Sequence, residues 1–504
     1  MKKIILLLLL AGSLSAQVRL PRSTPEKEGV HSESILKFLE EAEKQHIEFH
    51  SFMMLRHGKV IAEAWWQPYR DDLVHTLYSL SKSFTATAVG FAVQEGRLSV
   101  EDKVVSFFPE LKPETVNDNL ANLKIRDLLT MSAATTKEPM GIITTDNWVK
   151  AYLASEFDIP PGSRFLYNST ATFMCSAIVT KVTGQTVFDY LESRLFKPLS
   201  IKGIDWETSP NGINTGGWGL RLHTEDIAKF AQLFLQKGKW NGKQLIDPKW
   251  VDTASSKQIL QSPEVSDEKR AKSDWLQGYG YQMWRCRNDA FRGDGAFGQY
   301  AIVIPDKDVV IVATAETGDM QSEINLFWDN LLPGISDAQN LEFSEKAELL
   351  EIKLKSLQLP VNRVQKQADT EKLAHKKEID FENNTVGLSS LQLDFEKDRL
   401  FLHLNKDGQK DVLRIGRAHW DLDHTVIKGP YLVSRAEHNL ENIGAFETAG
   451  SFTWLDAHRL EITIRYIQSP HTAKYTLHFE GNEVLLDYQS SIPNAETVSI
   501  KGKM

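Results

Sequence analysis

Apolar positions change their spacing twice along the chain, and the changes divide it. Up to about residue 335, strand-like and helix-like runs alternate. Residues 49–66 read as a hairpin with His57 and Gly58 at its turn. Residues 81–96 read as a buried helix that stops at Gly96, and 170–184 as a second that stops at Gly184. Residues 223–240 read as a third helix, with Thr224 as N-cap before Glu225 and Asp226. Residues 279–284, 296–305 and 308–315 then read as strands of one antiparallel sheet. Strands at both ends with helices between predict an α/β (α+β) sandwich, an antiparallel sheet flanked by helices.

Beyond 335 the texture differs. Ser344 to Leu357 fits one helix with Leu350, Leu354 and Leu357 on one face. The polar stretch 363–378 reads as a linker or an exposed helix. From Val386 onward, short strands alternate with Gly and Asn/Asp turns such as Lys406-Asp407-Gly408 and Glu480-Gly481-Asn482. Their even spacing predicts an all-β C-terminal domain, a small barrel or sandwich, with Trp420, Trp454 and Tyr466 in its core. The expected organisation is a leader over 1–16, a first domain over 17–335, a helix and linker over 336–385, and a β-rich domain over 386–504.

The leader comes from Lys2 and Lys3, an apolar run from Ile4 to Leu10, and small residues from Ser13 to Ala16. That is the layout of a secretory signal peptide, so a periplasmic or secreted protein is expected. No Cys stands near it for a lipid anchor, and no later run reaches the ~18 apolar residues of a membrane span. The formal net charge is −9, with no Lys/Arg block of the kind a nucleic-acid partner requires. The only cysteines are Cys175 and Cys286, too few for a disulfide framework. Cys175 reads as a small buried hydrophobe, and pairing of the two stays open.

Ser-x-x-Lys occurs at Ser34–Lys37, Ser79–Lys82 and Ser266–Lys269. Ser266 sits among solvated charges and Ser34 on an amphipathic surface helix. Ser79 opens a nearly uncharged helix, so Lys82 must enter apolar surroundings. At i and i+3 the two side chains share a helix face. A hydroxyl needs a base to act as a nucleophile, and a lysine becomes one when desolvation lowers its pKa. The helix N-terminus offers free N–H groups to a developing oxyanion. His57, His75 and His223 show no metal-ligand spacing, and no metal or organic cofactor is expected. Trp148, Trp218, Tyr279 and Trp284 lie near these blocks and could line a cleft, though core aromatics are as common.

The segment from His75 to Glu110 resembles the first signature of the serine β-lactamase and penicillin-binding superfamily, in its class C and esterase branch. Leu128-Leu129-Thr130, the Tyr167 segment, the block 217–251 and the region 293–313 follow in the family's order, over roughly residues 25–320. The resemblance implies an acyl-transfer hydrolase in which Ser79 attacks a carbonyl and Lys82 helps remove its proton. Tyr167, as a partial phenolate held by Lys82, would shuttle protons. The Ser79 N–H and one just after Gly295, near Phe297, would form the oxyanion hole. Two departures stand out. Ser169 occupies the family's Asn position, with Asn168 displaced by one. Asp294 stands where relatives place Lys or His, and there it would repel a substrate carboxylate unless Arg292, two residues earlier, neutralises it. The expected substrate is therefore a neutral or amine-bearing ester or amide, as a small molecule, a peptide or an acylated glycan. A true β-lactamase or D,D-peptidase is the alternative, and a non-catalytic penicillin-binding-like sensor is the alternative of another class.

Overall fold

The run 49–66 folds as the hairpin its turn implies, β1 (Glu48–Arg56) and β2 (Lys59–Trp65). In this computed structural model, residues 18–361, 368–441 and 443–504 are described. The leader 1–16 and the start of the polar stretch 363–378 lie outside them. Four later strands complete the first sheet: β3 (Trp284–Arg285), β4 (Phe291–Gly295), β5 (Gln299–Ile304) and β6 (Val309–Glu316). The order is β2-β1-β6-β5-β4-β3, antiparallel throughout. The run 279–284, expected as a full strand, pairs only at its two ends, Tyr279 in an isolated bridge with Ile259 and Trp284 in β3. Its Gln282 has φ +59°, and its side chain bonds the Leu128 and Leu129 carbonyls instead of following a ladder.

Side-chain alternation feeds two cores, one on each face of the sheet. Phe52, Met54, Ile302 and Ile311 pack with Phe38 of α1 (Ser32–Lys44) and with Phe327 and Leu331. Met53, Leu55, Val303 and Val310 pack on the other face. There they meet α2 (Ser81–Gln94), α3 (Ser169–Thr183) and α4 (Thr224–Leu235). α2 and α3 are apolar nearly all round and buried accordingly. Gly184 ends α3 in the left-handed region, as its position implies. The N-cap of α4 is His223, not Thr224, whose hydroxyl turns to Ser51 at 2.8 Å. α5 (Glu345–Ser356) lies against α1, burying Leu350, with Leu354 and Leu357 beside it. Both cysteines are free and buried, so no bridge joins them.

The C-terminal domain is a closed barrel, which decides between the two expected forms. Its strands are β7 (Glu378–Phe381), β8 (Leu388–Phe395), β9 (Arg399–Lys406), β10 (Gln409–Arg417), β11 (Asp421–Thr425), β12 (Phe446–Trp454), β13 (Arg459–Tyr466), β14 (Thr472–Glu480), β15 (Glu483–Ser490) and β16 (Val498–Lys503). Antiparallel pairs run from β10 through β7 and β16 to β12, and a short parallel pairing of β10 with β12 closes the ring. β11 adds to its edge. β7, β11 and β16 are too polar or too short for alternation to reveal. Every second residue of β9 and β14 is buried, filling the barrel with Leu402, Leu404, Leu477 and their neighbours. Trp454 and Tyr466 are in this core as expected, while Trp420 is only partly buried against Tyr69 and Leu359.

The barrel docks on the first domain through buried polar contacts. Arg465 pairs with Glu48 at 2.6 Å, Tyr69 donates to the Ser469 carbonyl at 3.1 Å, and the Tyr431 hydroxyl donates to Glu207. Burial pushes Glu207 up to about 7, against the opposing hydrogen bonds from Tyr431 and the Leu440 N–H. Between the ordinary value of 4.5 and about 7, the folded state therefore binds more protons than the unfolded. Stability falls across that window, by about 3 kcal/mol for a shift of this size. Glu207→Gln is expected to gain on the wild type by up to this amount when chemical denaturation at pH 8 is compared with pH 4.5. A pH-independent difference between the two proteins would contradict it.

Candidate active site

Ser79 stands in a single 3-10 turn, Tyr78–Leu80, immediately ahead of α2. Its neighbours Tyr78 and Leu80 are buried, while Ser79 itself is partly accessible, so this hydroxyl is the polar group the turn presents. Lys82 falls in the first turn of α2 and is 1% exposed. Its Nζ donates to Ser79 Oγ at 2.9 Å, to Ser169 Oγ at 3.1 Å and to the Gly217 carbonyl at 2.6 Å. These three acceptors satisfy all three protons of an ammonium. Burial nevertheless pulls Lys82 down to about 7, with Glu138 and Asp294 resisting. Near neutrality the amine is thus divided between a cation and a base.

Tyr167 reaches the same hydroxyl, with a side-chain hydrogen bond to Ser79. Lys82 Nζ lies 4.9 Å from its ring centroid. The ring stacks on Trp284 at 5.5 Å and meets Tyr279 edge-on at 6.5 Å. The expected partial phenolate is not supported. Burial, then the negative charge of Asp294, push this phenol above its usual value despite the Ser79 hydrogen bond. Tyr167 rests as a proton donor, and Lys82 is the group with an accessible neutral form.

Asn168 and Ser169 divide the work at the start of α3. Asn168 is the N-cap, its Oδ1 accepting from the Ala171 N–H at 2.9 Å and the Thr170 hydroxyl at 2.7 Å. Ser169 faces Lys82. Glu138, from a distant loop, accepts from the Ser169 N–H at 2.5 Å and the Thr170 N–H at 3.3 Å. A carboxylate at a helix N-terminus is favoured by the free N–H groups there. Glu138 and Gly217 carry no motif of their own. Glu138 lies in an irregular polar loop, and Gly217 contributes only a backbone carbonyl, although it opens the block 217–251 that aligned with the family.

β4 closes the other side. A Cβ on Gly293 would lie 2.1 Å from Leu80 Cδ1, and one on Gly295 2.1 Å from the Leu77 carbonyl oxygen. The two glycines let this strand run flush against the turn that bears Ser79. Asp294 is 8% exposed and takes Arg292 Nε and Nη2 at 2.8 Å. Arg292 also donates to the Asp274 carbonyl and to Cys286 Sγ, and lies over Trp275. Neutralisation of Asp294 by Arg292 is therefore what the strand builds, and the guanidinium, wholly buried, is not free to hold a ligand. Phe297 follows in the β4–β5 turn with φ +69°, its ring edge-on to that of Tyr78 with centroids 5.6 Å apart. Its backbone so lies beside the nucleophile turn.

Trp148 and Trp218 are buried against each other at 5.7 Å. His57, His75 and His223 bond Glu28, His50 and Asp226 in turn. No cluster able to hold a metal ion occurs among the described residues. A cavity of 1030 Å³ opens between β2 and α5, lined by Trp65, Tyr69 and Leu354, and contains none of the Ser79 group.

The Beta-lactamase family model matches residues 37–327, a span that contains Ser79, Lys82, Tyr167 and Asp294. The chain belongs to the Beta-lactamase family. It is a serine hydrolase of that fold. Within the family it is similar to the 6-aminohexanoate-dimer hydrolase of Paenarthrobacter ureafaciens, 23% identical over 305 residues, covering 56% of this chain and 76% of that protein. It is 22% identical to a Beta-lactamase of Escherichia coli K12, over 49% of this chain and 77% of the other. Among solved structures, the 6-aminohexanoate-dimer hydrolase homologue from Bacillus anthracis aligns with TM-score 0.49 and 20% identity, over 62% of this chain and 87% of that one.

Proposed function

We propose that the protein is an exported hydrolase that cleaves an ester or amide through an acyl-enzyme on Ser79. The observation that carries this is the contact of the buried Lys82 amine with the accessible Ser79 hydroxyl, 2.9 Å long, beside a phenol. Neutral Lys82 takes the Ser79 proton as Oγ bonds to the carbonyl carbon. The oxyanion that forms lies between the Ser79 N–H and the Phe297 N–H. Tyr167 gives its proton to the leaving oxygen or nitrogen as that bond breaks, and Lys82 reprotonates the phenol. Water then attacks the acyl carbon, passing a proton back through the same pair, and Ser79 leaves with it. Export rests on the leader over 1–16.

Charge around the cleft favours a neutral or amine-bearing substrate. Arg292 is committed to Asp294, and Lys82 to the reaction, which leaves a substrate carboxylate without a cation at the third motif. Glu138 adds a negative charge near Ser169. The name of the Paenarthrobacter relative indicates an amide substrate that carries both an amine and a carboxylate; its amide and its amine fit this balance, and its carboxylate does not. A true β-lactamase or D,D-peptidase is the weaker reading for the same reason.

A fluorophosphonate probe is expected to label the protein, with Ser79→Ala abolishing the label. In a panel of p-nitrophenyl esters, D-amino-acid amides and a chromogenic cephalosporin, turnover is expected on the esters or amides. Labelling that survives Ser79→Ala would remove the nucleophile assignment. Cephalosporin turnover at rates above the esters would overturn the substrate reading.

A further inference from the structure

We infer that the barrel completes the active site, through a hydrogen-bonded chain Tyr78–His471–Glu316 that holds the nucleophile turn and the Phe297 turn in register. The inference rests on Ser79 being the nucleophile. Tyr78, the residue just before Ser79, has φ +46°. A bulky residue in the left-handed region is strained, by roughly 1–2 kcal/mol, and persists only where its surroundings over-determine it. The surroundings here come from two domains.

The Tyr78 hydroxyl lies 2.6 Å from His471 Nε2, and the Leu432 N–H donates to it at 3.3 Å. The ring stacks on Tyr431 at 5.4 Å. His471, Tyr431 and Leu432 all belong to the C-terminal domain. His471 is wholly buried and turns its Nδ1 to Glu316 Oε1 at 2.8 Å, at the end of β6 in the first sheet. Ser491 also donates to that oxygen, at 2.5 Å. The same imidazole meets the Phe297 ring edge-on at 4.8 Å, and the Thr317 N–H, next to Glu316, donates to the Phe297 carbonyl at 3.1 Å.

One set of proton directions satisfies every group along the chain. The Glu316 carboxylate only accepts, so Nδ1 carries a hydrogen. With a hydrogen on Nδ1 alone, Nε2 accepts from the Tyr78 hydroxyl, whose lone pair receives the Leu432 N–H. Every group in this buried chain is satisfied in that one arrangement, which gives it a single geometry. One imidazole from the barrel thus touches Phe297 and Tyr78, the residue before Ser79, on the two sides of the proposed oxyanion hole. Tyr78 and His471 are positioning residues: they set where the Ser79 and Phe297 N–H groups point, and they do not meet the substrate.

The test uses the full chain with Tyr78→Phe and His471→Ala, each assayed on the best ester of the panel and against a boronic acid that adds to Ser79. Displacement of catalytic groups by an ångström costs about 100-fold. His471→Ala is expected to lower kcat by about that factor and Tyr78→Phe by about 10-fold, the smaller value because the ring stacking stays. KM is expected to hold within about twofold, and boronate affinity to fall in step with kcat, because a tetrahedral adduct uses the oxyanion hole and a bound ester does not. If His471→Ala does not fold, Tyr78→Phe decides, since it removes one oxygen and no packing. Unchanged kcat and boronate affinity in a folded variant would overturn the inference, as would a loss confined to KM. Persistent labelling of Ser79→Ala would instead sink the nucleophile assignment, so the two failures are distinguishable.

Discussion

Lys82→Met is expected to lower kcat/KM by about 1,000- to 10,000-fold, the upper range for loss of a general base, while leaving the protein at least as stable. Methionine keeps the length and volume of the side chain and removes only the amine. Without it, the Ser79 proton has no acceptor, since the Tyr167 phenol holds its own proton more firmly than a free tyrosine does. In the wild type the same assignment predicts a pH profile. Lys82 titrates at about 7 in the fold against 10.5 unfolded. Below about 7 the amine is charged and cannot accept, so kcat/KM should fall tenfold per pH unit there and reach a plateau above. The stability effect has the opposite origin. Between about 7 and 10.5 the unfolded chain binds more protons than the folded, so stability rises with pH through that window. At neutral pH the wild type sits at its unfavourable end, and methionine removes that cost, as replacement of a buried charge by an apolar group commonly does. A Lys82→Met protein that melts at or above the wild type yet is inactive is the expected pair of results. Full activity, or a flat pH profile between 5 and 8, would exclude Lys82 as the base.

Gly295→Ala should cost at least 100-fold in kcat, because one methyl group has nowhere to go. Its carbon would lie 2.1 Å from the Leu77 carbonyl oxygen and 2.9 Å from Gln299 Cβ. Neither neighbour is the end of a flexible chain: the first is backbone, two residues ahead of Ser79. β4 or the nucleophile turn must therefore retreat by about an ångström, and the distance between the Ser79 and Phe297 N–H groups changes with it. Ground-state binding of an ester depends less on that distance, so the loss should lie mainly in kcat. Fluorophosphonate labelling should slow in parallel. An alanine variant with wild-type kcat would mean that this strand is looser than its packing implies.

These two residues also mark how far the chain could be read without its fold. Ser79 and Lys82 were legible because they are local: three positions on one helix, in a run without other charges, put a hydroxyl and an amine together. The strand pairs and the buried helices were legible for the same reason, since periodicity is a short-range property. What stayed hidden depends on contacts tens to hundreds of positions apart. His471 lies 393 residues from Tyr78, in a strand-rich segment with nothing to distinguish it. Glu138 lies in a loop with no period. The direction of the Tyr167 shift turned on enclosure and on Asp294, neither of which can be judged from order along the chain. Thr224 was expected as a cap on side-chain chemistry alone, and Ser51 from another element claimed its hydroxyl.

The two thiols have a practical consequence. Cys175 is sealed in the first domain, Cys286 lies at 4% exposure beside a surface pocket, and the barrel has no cysteine. An alkylating reagent can therefore reach Cys175 only when that domain opens. Its rate of uptake there is a clock for the unfolding of one half of the molecule, silent to anything the other half does alone, and it requires no added label.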